Sequence, residues 1–184
     1  MMRPRAAAEL AHGHWLQWLE RDRAWSRALH AASSHAPVLR LLGAVSLLSD
    51  GILWYAIILA LPWVAGPTGS ACMWRMLTLG TVNLAIYKIM KRTFARPRPC
   101  SACEGICARA RVLDEHSFPS GHTLHAVAFG LVLCRYWPSL VWVVVPFALL
   151  VALSRVVLGL HYPSDVVAGA AIGWFTAEAV LVLM

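Results

Sequence analysis

Apolar residues dominate this chain from residue 38 onward, in runs broken by short charged or Pro/Gly-bearing stretches. These runs predict five membrane-crossing helices. The first lies within 38–65 and is interrupted by Ser49-Asp50-Gly51. Nearly thirty residues at about 1.5 Å each exceed the ~30 Å hydrocarbon core of a bilayer. Residues 38–48 are therefore expected to run obliquely or at the interface, with 51–65 entering the core. The other spans are expected near 70–90, 120–137, 140–160 and 163–184. Trp54, Trp63, Trp74, Trp137 and Trp142 fall near the expected ends, where interfacial aromatics belong.

Ahead of the spans, residues 7–35 predict an amphipathic helix. Ala11, Trp15, Trp18, Leu19, Trp25 and Leu29 recur mostly at three- and four-residue steps, against Glu9, Glu20, Arg21, Asp22 and Arg23. A helix rich in Trp and Arg, too polar to span, is expected to lie along the headgroup plane. The alternative is a helix packed on the bundle with no membrane role. The fold class is thus an all-α integral membrane bundle, one domain over residues 1–184, with a polar loop at 91–119 between the second and third spans. A loop that long in a compact domain is usually functional.

Composition narrows the class. The chain has 184 residues, 59% of them hydrophobic and 14% charged, with nine tryptophans and a mean hydropathy of +0.63, which excludes an ordinary soluble domain. The net charge of +7 does not indicate nucleic acid, because the basic residues form no stripe interleaved with aromatics. Arg3, Arg5, Arg21, Arg23, Arg27 and Arg40 lie near the N-terminus, and anionic headgroups account for them. Residues 1–27 carry neither the apolar core nor the cleavage site of a signal peptide, and no lipidation motif is present.

Three clusters carry candidate chemistry. They are the run from Lys91 to Pro99, then Pro119-Ser120-Gly121-His122, then Ser154-Arg155 followed by His161 and Asp165. The first ends span two, the second opens span three, and the third straddles the turn from four to five. All three therefore emerge on one face of the membrane. They resemble the type 2 phosphatidic acid phosphatase family, whose pattern is Lys-x6-Arg-Pro, Pro-Ser-Gly-His and Ser-Arg-x5-His-x3-Asp. Lys91 to Arg98-Pro99, residues 119–122, and Ser154-Arg155 to His161 and Asp165 match that spacing.

Lys91, Arg98 and Arg155 can neutralise the oxygens of a phosphoryl group. Lys91-Arg92 at a helix end could equally be a headgroup anchor, whereas Arg155 lies within an apolar span and needs an anionic partner. Ser120 is expected to cap a helix whose first N–H groups, at Gly121 and His122, face an anion. His161 is the candidate nucleophile, Asp165 four residues on is expected to hold its other ring nitrogen, and His122 is the candidate general acid. The resemblance implies the same division of roles. No metal or cofactor is called for; a His161/His122/Asp165 metal site is the rival, and it leaves the three cations without a task. His125 is expected to be a partner-bonded bundle histidine. Asp50 is an intramembrane carboxylate, read as a cap or an interfacial residue and left outside the site. Cys100, Cys103 and Cys107 could form a disulfide, remain free thiols, or join His116 around zinc.

The resemblance implies a hydrolase acting on a lipid phosphate or pyrophosphate, such as undecaprenyl pyrophosphate, phosphatidate or phosphatidylglycerol phosphate. Its partners would be that substrate and membrane lipids. A vanadium-haloperoxidase-like oxidoreductase and a non-enzymatic lipid-phosphate carrier are the competing readings. The former are large soluble proteins, and a carrier leaves two histidines and an aspartate unexplained. Five spans put the N-terminus and the site on one face. The N-terminal arginines favour the cytoplasmic side for it. The resemblance to bacterial inner-membrane enzymes favours the periplasmic side, which is the expectation adopted.

Overall fold

The computed structural model describes residues 4–33 and 35–184, with side chains described from residue 17 on. Expectations for Arg3, and for the side chains of Arg5, Glu9, Ala11 and Trp15, fall outside the described residues. Within them the chain is all-α: α1 Pro4–Ala32, α2 Ala36–Leu48, α3 Ile52–Phe94, α4 Pro99–Ala102, α5 Gly121–Tyr136, a 3₁₀ turn Pro138–Leu140, α6 Val141–Val157 and α7 Pro163–Leu183.

At 43 residues, α3 would be about 65 Å long if straight, twice the hydrocarbon thickness. It is not straight. Gly66 adopts φ 55°, ψ −134°, a conformation that suits glycine. A Cβ on Gly69 would lie 1.9 Å from the Leu61 carbonyl oxygen, although a straight helix separates such residues by about 12 Å. Ile58 and Met76 line the same cavity. The helix is therefore a hairpin with legs 52–65 and 67–94, and the break falls where the sequence places one, between the first and second runs. Ser49–Gly51 likewise separates α2 from α3, as the interruption there predicts.

Three helices among the described residues are long and apolar enough to cross a membrane: Ile52–Phe94, Pro138–Val157 and Pro163–Leu183. The pair Gln17–Ala32 and Ala36–Leu48, bent by 120°, makes a fourth if taken as one span. The outer surface agrees with lipid as solvent: Trp63, Trp142 and Val182 are all at least 80% exposed.

The centre of the bundle is α5, which packs against α3, α6 and α7. Its contact with α7 is close because Gly169 and Gly173 have no side chain. A Cβ at those positions would lie 2.5 Å from the Ser120 oxygen and 2.4 Å from that of Leu124. Small residues are what allow such backbone approach in membranes. The approach brings the start of α7 against the start of α5, where the Ser120 N–H donates to the Asp165 carbonyl at 3.0 Å.

The first helix departs from the simple amphipathic expectation. Asp22, Ser26 and His30, at four-residue steps, are buried, and α1 packs on α6 and α7. His30 Nδ1 lies 2.9 Å from the Val157 carbonyl. Trp18 and Trp25 are exposed. The polar stripe thus faces protein and the tryptophans face outward, because the ends of α6 and α7 offer polar partners that lipid lacks.

Candidate active site

Each cluster is delivered by a helix end. Lys91 closes the second leg of α3, Arg98 precedes α4, His122 sits in the first turn of α5, Arg155 in the last turn of α6, and Asp165 in the first turn of α7. His161 lies in the tight turn between α6 and α7, where its N–H donates to the Arg155 carbonyl at 3.0 Å. That turn needs Gly159, which has φ +76° and whose Cβ would meet the Cys107 oxygen at 2.6 Å.

The cations and histidines converge. Arg98 Nη1 donates to the Leu160 carbonyl at 2.7 Å and to His161 Nε2 at 3.2 Å. A guanidinium has no acceptor, so Nε2 presents its lone pair and the ring proton resides on Nδ1. Burial, then the charges of Arg155, Arg98, Lys91 and His122, hold His161 well below the ordinary imidazole range. His161 is thus a neutral imidazole at physiological pH. Arg155 is 1% exposed, and its guanidinium donates to Ser46 Oγ.

Asp165 is placed less simply than the sequence predicts. Its Oδ2 is 3.6 Å from His161 Nδ1, beyond a hydrogen bond, and that nitrogen has no partner among the described residues. Oδ2 instead accepts the Tyr162 N–H at 2.9 Å, because Asp165 is also the third residue of α7 and answers its capping demand. Oδ1 accepts from Arg96 Nη1 at 2.7 Å. Ser120 differs too: its hydroxyl meets Thr123 Oγ1 at 3.0 Å and makes no cap to the backbone. Gly121 is required by a ring, since its Cβ would lie 2.7 Å from Tyr87 Cε2. His125 Nδ1 lies 2.8 Å from the Gly121 carbonyl, as a partner-bonded histidine should.

Four residues outside the predicted set, Asp114, Asp50, Arg96 and Asp22, also contact the site. Asp114 in the long loop accepts from Lys91, from Tyr87 at 2.6 Å and from Arg98 Nη2 at 2.8 Å. Burial raises its carboxyl, but the hydrogen bonds from Lys91 and Tyr87 and the charges of Lys91 and Arg98 outweigh this and hold it at about 2. Asp50 hydrogen-bonds His122 Nε2, which corrects its exclusion from the site. Arg96 joins Asp165 to Asp22 of α1, each at 2.7 Å, and its guanidinium stands 3.8 Å above the Tyr162 ring. Asp22 also accepts the Ser164 N–H at 3.1 Å.

Cys100, Cys103 and Cys107 are free thiols. Cys103 Sγ is 3.5 Å from the Tyr162 hydroxyl, and Cys107 Sγ is 3.6 Å from His30 Nε2. Among the described residues they do not gather with His116 into a metal-ligating group.

Asp22 therefore fastens α1 to the site. Asp22→Ala strands the Ser164 N–H and deprives Arg96 of one of its two carboxylates. The expected loss is on the order of 3 kcal/mol of stability, as for a broken buried pair, read as a lower thermal midpoint in detergent. An unchanged midpoint would show that α1 docks without this contact.

Comparison with known proteins adds a family. The PAP2 superfamily profile matches residues 72–184. Undecaprenyl-diphosphatase BcrC of Bacillus subtilis is 32% identical over 142 residues, covering 76% of this chain and 72% of that protein. Lipid A 1-phosphatase of Rhizobium etli is 39% identical over 67 residues, 36% of this chain and 29% of that protein. The solved transmembrane PAP2-type phosphatidylglycerolphosphate phosphatase of Bacillus subtilis superposes with a TM-score of 0.75 at 21% identity, covering 91% of this chain and 86% of that one. Aquifex aeolicus LpxE gives 0.73 at 21% identity, covering 86% and 93%. The two superpositions speak for the fold, and the profile spans more than half the sequence. This chain belongs to the PAP2 superfamily, as a multi-pass membrane lipid phosphatase.

Proposed function

We propose that the enzyme hydrolyses a lipid pyrophosphate of the undecaprenyl type through a phosphohistidine on His161, with no metal ion taking part. One observation carries the lipid reading. A cavity of ≈ 360 Å³, lined mainly by apolar side chains such as Trp54, Ile58, Met76, Leu84 and Phe129, opens at His122 between the legs of α3 and α5. A hydrocarbon tail seated there would bring the bridging oxygen of its pyrophosphate to His122 and the terminal phosphoryl group to Lys91, Arg98 and Arg155. The diphosphatase relative that spans most of both chains supports the pyrophosphate headgroup.

In this mechanism Arg98 turns from His161 Nε2 to the phosphoryl oxygens and frees the lone pair for in-line attack. Lys91, Arg98, Arg155 and the first-turn N–H groups at Gly121 and His122 balance the charge on the transferring group. Ser120 sets the backbone that presents those groups. The bond between the terminal phosphorus and the bridging oxygen breaks, the lipid monophosphate departs, and the oxygen it carries away takes a proton from His122. Asp165 closes its 3.6 Å gap as the His161 ring becomes cationic. Water then attacks phosphorus, gives its proton to His122, and the phosphorus–nitrogen bond breaks to release phosphate.

The same reading has five crossings: residues 52–65, residues 67–94, α5, α6 and α7. The site and α1 share one face, taken as the periplasmic face of a bacterial inner membrane. Residues 1–184 then form a single domain.

Phosphate release by the purified protein from undecaprenyl pyrophosphate, phosphatidate and phosphatidylglycerol phosphate is the test. The pyrophosphate is expected to turn over fastest, in excess chelator as without it, and vanadate is expected to inhibit. Loss of activity on chelation with recovery on zinc or magnesium would overturn the metal-free mechanism. Bromide peroxidation with vanadate, in place of hydrolysis, would favour the oxidoreductase.

A further inference from the structure

The three clusters leave one polar element of the site unexplained: the corner between α2 and α3. Ser46 in the last turn of α2 accepts from Arg155, and Asp50, two residues past the helix end, hydrogen-bonds His122 Nε2. The corner is shaped for this. Gly51 has φ +113°, Ser49 Oγ donates to the Ser46 carbonyl at 2.8 Å, and the Asp50 N–H donates to the Leu47 carbonyl at 3.1 Å. Asp50 and His122 both line the apolar cavity, and their side chains are 20% and 11% exposed.

We propose that Asp50 is the positioning residue of the acid histidine, so that the enzyme works with two His–Asp pairs, one for each chemical role. The inference rests on His122 being the general acid. The reason is electrostatic. An acid must hold its proton until the leaving oxygen departs, yet His122 faces Arg155 from α6, His125 along α5 and His161 across the site. Tyr87 of α3 lines the same cavity. Among these neighbours Asp50 alone carries negative charge, and a carboxylate bonded to an imidazole favours its protonated form. The two histidines are thereby set apart by environment: an arginine on His161 Nε2 faces a lone pair, whereas a carboxylate at His122 Nε2 can accept a proton there and balance the charge of the ring when Nδ1 is protonated as well. With Nε2 engaged, Nδ1 is the nitrogen left to donate. Asp50 remains a carboxylate throughout, and the proton passes from the ring to the lipid-side oxygen.

Asp50→Asn keeps the shape and removes the charge. On phosphatidate, whose leaving group is an alkoxide, it is expected to lower kcat about tenfold to a hundredfold, below the about 10²–10⁴-fold that a general acid itself contributes. KM should move little. On p-nitrophenyl phosphate, whose leaving group needs no proton, the rate should stay within about threefold. Asp50→Glu should restore much of the loss. In a His122→Ala background Asp50→Asn should cost nothing more, because residues acting as a unit are not additive. A purely structural role predicts equal losses on both substrates, no rescue by Glu and a further loss in the double variant, and any of these overturns the proposal. If His122→Ala alone loses both substrates equally, the acid assignment falls and the Asp50 inference with it. If only His122→Ala is selective, the Asp50 inference falls alone.

Discussion

Replacing His161 by alanine is expected to abolish turnover on every substrate, by on the order of 10⁴-fold or more, and to leave no phosphoenzyme to trap. The expectation follows from a fully buried imidazole with its lone pair directed at an arginine. The neighbouring groups are otherwise engaged: Asp165 is held by Arg96 and the Tyr162 N–H, and His122 Nε2 is bonded to Asp50. Because burial and three flanking cations keep His161 unprotonated, acidification to just below the ordinary histidine pKa should not silence it. Asp165→Asn is expected to cost less, since it disturbs orientation and not the bond-forming atom. Substantial activity in purified, folded His161→Ala would remove this residue as nucleophile.

The second large effect is expected at His122, and it depends on the leaving group. His122→Ala should slow hydrolysis of an alkoxide-releasing lipid by about 10²–10⁴-fold. p-Nitrophenyl phosphate, whose phenolate departs unaided, should be partly rescued, whereas His161→Ala should be inactive on both. Steady-state rates on the two substrates suffice to read the contrast. Equal losses would assign His122 to phosphate binding and move the proton donor elsewhere.

Much of the site was legible because its residues sit at fixed short spacings on helix ends. Lys91 with Arg98, Ser120 with His122, and Arg155 with His161 and Asp165 are each one local stretch, and the alternation of apolar runs already placed all three on one face. The break at residue 66 was readable for the same reason, as Gly66-Pro67 stops a helix locally. What escaped the sequence is what folding brings from afar. Asp114 belongs to a loop without periodicity, and its partner Lys91 is 23 residues away. Asp50 carried a signal, a carboxylate amid apolar residues, but nothing in the sequence said that its partner lay 72 residues on. Arg96 stood inside the first cluster, yet only the packing of α1 reveals that it bridges Asp22 and Asp165. The Asp165–His161 pairing failed in detail because one carboxylate cannot fully serve a histidine, an arginine and a helix start together. Periodicity distinguished the two faces of α1 and left open a place along the headgroup plane or on the bundle, and only packing shows that Asp22, Ser26 and His30 face protein.

The central claim is that phosphorus becomes covalently bound to His161. Rapid acid-free quench of the enzyme with a lipid substrate labelled in its terminal phosphate, followed by peptide mapping under alkaline conditions, tests it directly. The account predicts a transient, acid-labile and base-stable label on the peptide carrying His161, present in His122→Ala and absent in His161→Ala. A label on His122, or burst kinetics without any protein-bound phosphate, would contradict it.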